Sequence, residues 1–208
     1  MRNILRIVLV WGALVTATQG AEQNNVLGIR VPDSLDEMLG TVHEDPDTGF
    51  RFRGGYSAYL YQGLRQYDDP ELGYSLGYAA PNGTDLSVYV YDMGVADIPN
   101  GPDSALVAQQ LTDAERGIAA SGRYTQVQRL LEPPRLSPHF AQYSHLLTTS
   151  AGQPIKSHTF VRGQSNRFIK VRVTGSAGEA LEPRVAAFLE QLSAGLGIAE
   201  ATEHSEHP

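Results

Sequence analysis

Apolar and polar positions alternate most clearly between residues 74 and 91. Leu86, Val88 and Val90 fall on one side of a period-2 run, and Ser87, Tyr89 and Tyr91 on the other, because successive strand side chains point to opposite faces. Residues 71–80 carry a second such run, and Pro81-Asn82-Gly83 between them is a turn. Asn-Gly supplies the positive φ angles of a tight hairpin, so the two runs pair antiparallel. Upstream, residues 33–38 read as a short helix capped by Asp33 or Ser34 and closed by Gly40. A turn over 45–49 follows, then strands over 50–53 and 56–61 separated by Gly54-Gly55, with residues 64–67 extending the pairing.

Downstream the period changes. Val107, Leu111, Ala114 and Ile118 recur at helical spacing, after a cap at Asp103 or Ser104 and before Gly122. Residues 124–131 read as a strand stopped by Pro133-Pro134. Runs over 140–148, 155–162 and 167–174, separated by turn-forming residues, read as an antiparallel meander. A last helix starts near Pro183 and buries Val185, Phe188, Leu192 and Leu196 before Gly197. The pattern predicts an α+β fold: a mostly antiparallel, twisted sheet with two main helices packed on it. Val88 and Val90 are expected beneath those helices, beside Leu111 and Phe188.

A strand reading Leu86-Ser87-Val88-Tyr89-Val90-Tyr91, then a helix, a three-strand meander and a C-terminal helix resembles the PsbP/Mog1-like fold group. The resemblance covers element order over residues 50–197. That group includes small secreted bacterial proteins, and its members bind quite different partners, a photosystem in one case and a small GTPase in another. The resemblance implies the fold, and no functional residue comes with it.

Composition narrows the setting. The chain has 208 residues and no cysteine, which removes disulfides, thiolate nucleophiles and cysteine-ligated metals. Arg2 and Arg6, the apolar run over residues 7–15 and the small residues after it predict a secretory signal over residues 1–20. A flexible mature terminus over 21–30, one domain over 31–198 and a polar tail over 199–208 complete the expected organisation. Location is then periplasmic or secreted, with no stable membrane insertion after signal removal. Without Arg2 and Arg6 the chain holds 14 basic against 23 acidic residues, a net charge of −9, which argues against nucleic acid as a partner. No cofactor is implied.

Three features carry candidate chemistry. Gly73-Tyr74-Ser75-Leu76-Gly77 matches the Gly-x-Ser-x-Gly pattern of a nucleophile elbow. That mechanism needs a strand-to-helix turn, and here Pro81-Asn82-Gly83 leads into another strand. An exported serine hydrolase using Ser75 is therefore the alternative reading, and a structural envelope component a third. His43, Glu44, Asp45 and Asp47 gather oxygen ligands but lack the distal ligands of a calcium loop, and read as a solvated acidic turn; His204 and His207 sit in the tail. Eight of the ten tyrosines fall between residues 56 and 91, with Tyr89 and Tyr91 as contact-surface candidates.

The meander adds a cationic signal to an acidic chain. Lys156, His158 and Arg162 share one face of their strand, and Lys170 and Arg172 one face of the next. If the register brings those faces together they form an anion-binding strip. The leading expectation is a non-catalytic accessory protein that binds a protein partner or a small ligand through its sheet or loops.

Overall fold

The computed structural model describes residues 33–198. The expected signal, the expected mature terminus over 21–30, the first two residues of the expected domain (31 and 32) and the tail from residue 199, with His204 and His207, lie outside the described residues. Helix α1 (Leu35–Leu39) is capped by Ser34, whose hydroxyl accepts from the Glu37 amide. Strands β1 (Thr41–Glu44) and β2 (Arg51–Arg53) form a small antiparallel pair. The acidic turn between them is built on Asp45: its carboxylate accepts from the Asp47 and Thr48 amides and, at 2.7 Å, from the Tyr74 hydroxyl of the main sheet.

The main sheet has eight strands: β3 (Gly55–Tyr56), β4 (Tyr59–Gln66), β5 (Tyr74–Ala79), β6 (Asp85–Tyr91), β7 (Tyr124–Arg129), β8 (Ala141–Thr149), β9 (Pro154–Gln164) and β10 (Arg167–Ser176). Their spatial order is β3-β4-β5-β6-β10-β9-β8-β7, antiparallel throughout. Helix α2 (Ala105–Ala120) joins β6 to β7, and α3 (Glu182–Gly195) follows β10. The fold is α+β, as the pattern predicts.

Two details depart from the sequence expectation. Residues 56–61 do not run as one strand: Ser57 takes φ 54°, and the chain doubles back from β3 into β4. The β5–β6 connection is also wider than an Asn-Gly turn. Of its two central residues only Gly83 has a positive φ, and the Ala80 amide reaches across to the Thr84 carbonyl.

The sheet is covered on both faces, unequally. On one face α3 seals a core containing Leu76, Val88, Val90, Phe160, Val171, Val185 and Leu192. Phe188 sits among Tyr56, Tyr59 and Tyr78, ring centroids 5.0, 5.5 and 5.5 Å away, each pair edge-on or steeply tilted as aromatic quadrupoles prefer. On the other face α2 packs Val107 against Tyr91, Val161 and Phe168, and Ala114 and Ile118 against Tyr143 and Leu147. Leu111 belongs to this second face, so it does not join Val88 and Val90; its period-matched stripe is correct and its partner is not. Glu115 holds the helix to the far strands, accepting from Arg129 and meeting His145 Nε2 at 3.2 Å. Helix α2 packs chiefly over β7, β8 and β9 and reaches Phe168 of β10 and Tyr91 of β6, so its apolar contacts stop short of β4 and β5.

Candidate functional site

The β9–β10 ladder decides the fate of the cationic strip. Lys170 pairs with Val161 and Arg172 with Thr159, while Lys156 and His158 pair with Gly175 and Val173. Directly paired residues share a face. The two sets therefore stand on opposite sides of the sheet: Lys170 and Arg172 on the α2 face, Lys156, His158 and Arg162 on the α3 face. The expected single strip is corrected to two separate groups, because the hairpin pairs an even-numbered position with an odd-numbered one.

On the α3 face the cations are taken up by the protein itself. Lys156 Nζ meets Glu182 Oε1 at 2.7 Å at the start of α3. His158 is buried, and its Nδ1 lies 2.7 Å from Ser144 Oγ, with Nε2 3.9 Å from Glu182. Burial pushes the His158 pKa down to about 4, so the ring is neutral at pH 7. Arg162 donates to the carbonyls of Gly163 and His139 and to Gln164, and lies over the Phe140 ring. The Ser144–His158 pair went unnoticed in the sequence. It is sealed at 0% and 1% exposure, which denies it the access a nucleophile needs.

The α2 face is built differently. Following the registers across the sheet, Gly63, Gly77, Ser87, Arg172, Thr159 and Tyr143 form one row over β4, β5, β6, β10, β9 and β8. The adjacent row is Arg65, Ser75, Tyr89, Lys170, Val161 and Ala141. On the side without a helix the first row is floored by two glycines and a serine. A Cβ added at Gly63 would meet nothing within 4 Å, and one at Gly77 would come no nearer than 3.8 Å to anything. Such a floor lets a ligand approach the backbone closely.

The row leads from this open floor to a cationic head beside α2. Lys170, 9% exposed, leans over β6, its Nζ 4.4 Å from the Tyr89 ring centroid and 5.1 Å from that of Tyr91. Burial, with the neighbouring Arg172 charge, pushes the amine's pKa down to about 7. Arg172 donates to the Tyr124 hydroxyl at 2.9 Å and, more weakly, to Ser157. Tyr91 is buried under α2 and donates to Gln110, whereas Tyr89 is half-buried beside the floor. Beyond Arg172, Tyr143 and Thr159 face each other with buried hydroxyls that have no hydrogen-bond partner. They lie close enough for Thr159 to draw the phenol's pKa down, but not in hydrogen-bond geometry; burial wins and the pKa rises to about 12.

Ser75 lies within β5, paired to Arg65 and Tyr89 on either side, and its hydroxyl meets Tyr67 Oη at 3.2 Å. Its strand leads into a turn and another strand, so the structural context of an elbow is missing. Arg65, over the Tyr67 ring at 5.0 Å, adds a third cation to this face. Of the predicted residues the fold thus brings together Lys170, Arg172, Tyr89, Tyr91 and Ser75, and separates Lys156, His158 and Arg162 from them. Gly63, Arg65, Tyr67, Gly77 and Ser87 were missed. A groove of about 370 Å³ elsewhere, between Pro102–Asp103 and Pro133–Gln142, has its cation Arg135 turned to the carbonyls of Ser137 and Pro138.

No group of three or more metal-ligating side chains occurs among the described residues, and no helix among them is long and apolar enough to cross a membrane. No family model matches the chain, and no curated protein or solved structure matches it.

Proposed function

We propose that this chain is an exported, non-catalytic binding protein that takes a small anionic ligand on the α2 face of its sheet. The ligand's body lies along Gly63, Gly77 and Ser87, and its charged end meets Lys170 and Arg172. One observation carries the reading: the strand registers align an open glycine–serine floor with two cations and a half-buried tyrosine ring in a chain whose net charge is −7. Charge complementarity then favours an anion, and the small floor favours a slender one. The buried hydroxyls of Tyr143 and Thr159, next along the same row, add polar groups at the closed end. Export rests on the N-terminal residues alone, and the PsbP/Mog1-like reading on element order.

The test is an NMR titration of the amide spectrum with 2-hydroxybutanoate, a slender carboxylate. Saturable shifts at Gly63, Gly77, Ser87, Lys170 and Arg172 are expected. Shifts centred on Lys156 and Arg162, or no saturation anywhere, would overturn the assignment.

A further inference from the structure

We propose that Asn82 is a site of spontaneous covalent modification, closing on the Gly83 nitrogen to a cyclic imide that water opens to aspartate or isoaspartate. The carboxylate so formed releases the β5–β6 turn from Glu179, which Asn82 holds in the unmodified chain.

An asparagine followed by glycine is the pair in which this ring closes most readily, because no Cβ on the second residue hinders its nitrogen. The chain has two such pairs, Asn82-Gly83 and Asn100-Gly101. Both asparagines are exposed, and a Cβ on either glycine would meet nothing within 4 Å, so room does not separate them. The electrophile does not separate them either. Asn82 Oδ1 accepts from the Thr84 amide at 3.2 Å and Asn100 Oδ1 from the Ser165 amide at 2.8 Å. Each donor stabilises the charge that grows on that oxygen as the nitrogen adds. The nitrogen decides. Gly101 donates to the Gly163 carbonyl at 2.8 Å and Gly163 returns a bond at 2.9 Å, a reciprocal bridge to β9 that withholds the attacking nitrogen. The loop before it is pinned as well, the Ile98 amide donating to Asn166 Oδ1 at 2.8 Å. Gly83 donates across its own turn, to the Ala80 carbonyl at 2.9 Å, among residues open to solvent. A turn tip opens locally more easily than a bridge between distant segments.

Asn82 Nδ2 donates to Glu179 Oε2 at 2.6 Å, which joins the turn to the segment leading from β10 into α3. The Glu179 carbonyl accepts from the amide of Leu181, the buried residue that heads α3. Conversion replaces the donating amide with a second carboxylate, and two like charges at hydrogen-bond distance repel. In isoaspartate the main chain also runs through the side-chain carbon, which lengthens the turn.

The step balances with water as the co-reactant. The Gly83 nitrogen gives its proton to water and bonds to Asn82 Cγ. The Cγ–Nδ2 bond breaks, and Nδ2 leaves as ammonia with a proton from water. Water then adds to either imide carbonyl and breaks its bond to the Gly83 nitrogen, which regains a proton. No oxidation state changes.

The experiment ages the purified chain in mildly alkaline buffer and follows both asparagines by peptide mass spectrometry, with hydroxylamine in a parallel sample to trap the imide. Asn82 should convert at least about tenfold faster than Asn100, the rate equivalent of about one net hydrogen bond. Ageing in denaturant, which removes both turn and bridge, should bring the two rates together, since proline precedes both pairs. Asn82→Asp, checked by circular dichroism, supplies one product directly. Its Thr84 and Leu181 amides should exchange with deuterium about tenfold faster than in wild type. Adding Glu179→Gln to that variant should restore wild-type exchange by returning a donor to the pair. Equal conversion of the two asparagines in the folded chain, or an Asn82 that stays intact, overturns the proposal. So does a preference for Asn82 that persists unchanged in denaturant. Wild-type exchange in folded Asn82→Asp overturns the release from Glu179.

Discussion

The two faces of the β9–β10 hairpin receive cations from the same short stretch of chain and use them in opposite ways. On the α3 face, Lys156, His158 and Arg162 meet Glu182, Ser144 and backbone carbonyls. Their polarity is spent on fixing the helix start and the loop before β8. On the α2 face, Lys170 and Arg172 meet aromatic rings and hydroxyls beside a floor of small residues. The difference lies in what each face is packed against. A cation under a full layer of structure must be satisfied from within, because an unpaired buried charge is costly. One at the border of a covered and an uncovered half-face can serve a ligand.

The largest expected effect breaks the covered face. Phe188→Ala removes the ring that Tyr56, Tyr59 and Tyr78 surround, and should cost about 3–5 kcal/mol by denaturant unfolding. A cost below about 1 kcal/mol would mean that α3 does not seal this core.

Next comes acid sensitivity, which should belong to the α3 face. The folded pKa of His158 is lowered from 6.5 to about 4 by burial, so the folded state favours the neutral ring. As pH falls below 6.5 the unfolded chain takes up the proton first, and stability is lost progressively down to about 4. The loss should be about 3 kcal/mol from this group. Glu182, its pKa lowered chiefly by the Lys156 hydrogen bond against an opposing burial effect, loses stability in the same direction. His158→Gln should flatten the curve between pH 6.5 and 4; an unchanged slope would place the titration elsewhere.

The α2 face should respond at the other end of the scale. Lys170 has its pKa lowered from 10.5 to about 7, so the folded state again favours the neutral form. Its stability contribution is present above 10.5 and is lost as pH falls toward 7. Measured as the difference from Lys170→Met, which cancels the tyrosines that titrate nearby, wild-type stability should decline across that window. A flat difference would mean that the amine is solvated.

The smallest stability effect is expected at the floor. Gly77→Val places a side chain where space is open and strand propensity favours it, so stability should rise or stay within about 1 kcal/mol. Binding of 2-hydroxybutanoate should nevertheless weaken about tenfold, because the branched group occupies the ligand's bed. Unimpaired binding would move the ligand off the floor.

Much of this architecture was legible in the sequence. The two helices, the β5–β6 hairpin and the meander follow from periodicity and turn residues, which act locally. The pairing of β10 with β6 does not, and neither does the register that separates Lys156 from Lys170, because one residue of slip moves a whole side-chain set to the other face. The Gly-x-Ser-x-Gly match shows the same limit from another side. In a strand its period-2 spacing puts Ser75 and Gly77 on one face, and paired with Arg65 and Gly63 they make a smooth floor rather than an elbow. The missed residues, Gly63, Arg65, Tyr67, Gly77 and Ser87, acquire meaning only from strands that lie beside theirs.

The most direct measurement compares the faces cation by cation. Isothermal titration with 2-hydroxybutanoate is run on Lys156→Gln, His158→Gln, Arg162→Gln, Lys170→Met and Arg172→Gln, each first checked for a folded spectrum. Lys170→Met and Arg172→Gln should weaken binding about tenfold or more, each having lost one charged contact, while the other three stay within about twofold of wild type. Loss of binding in Lys156→Gln or Arg162→Gln, with Arg172→Gln unimpaired, would contradict this pattern.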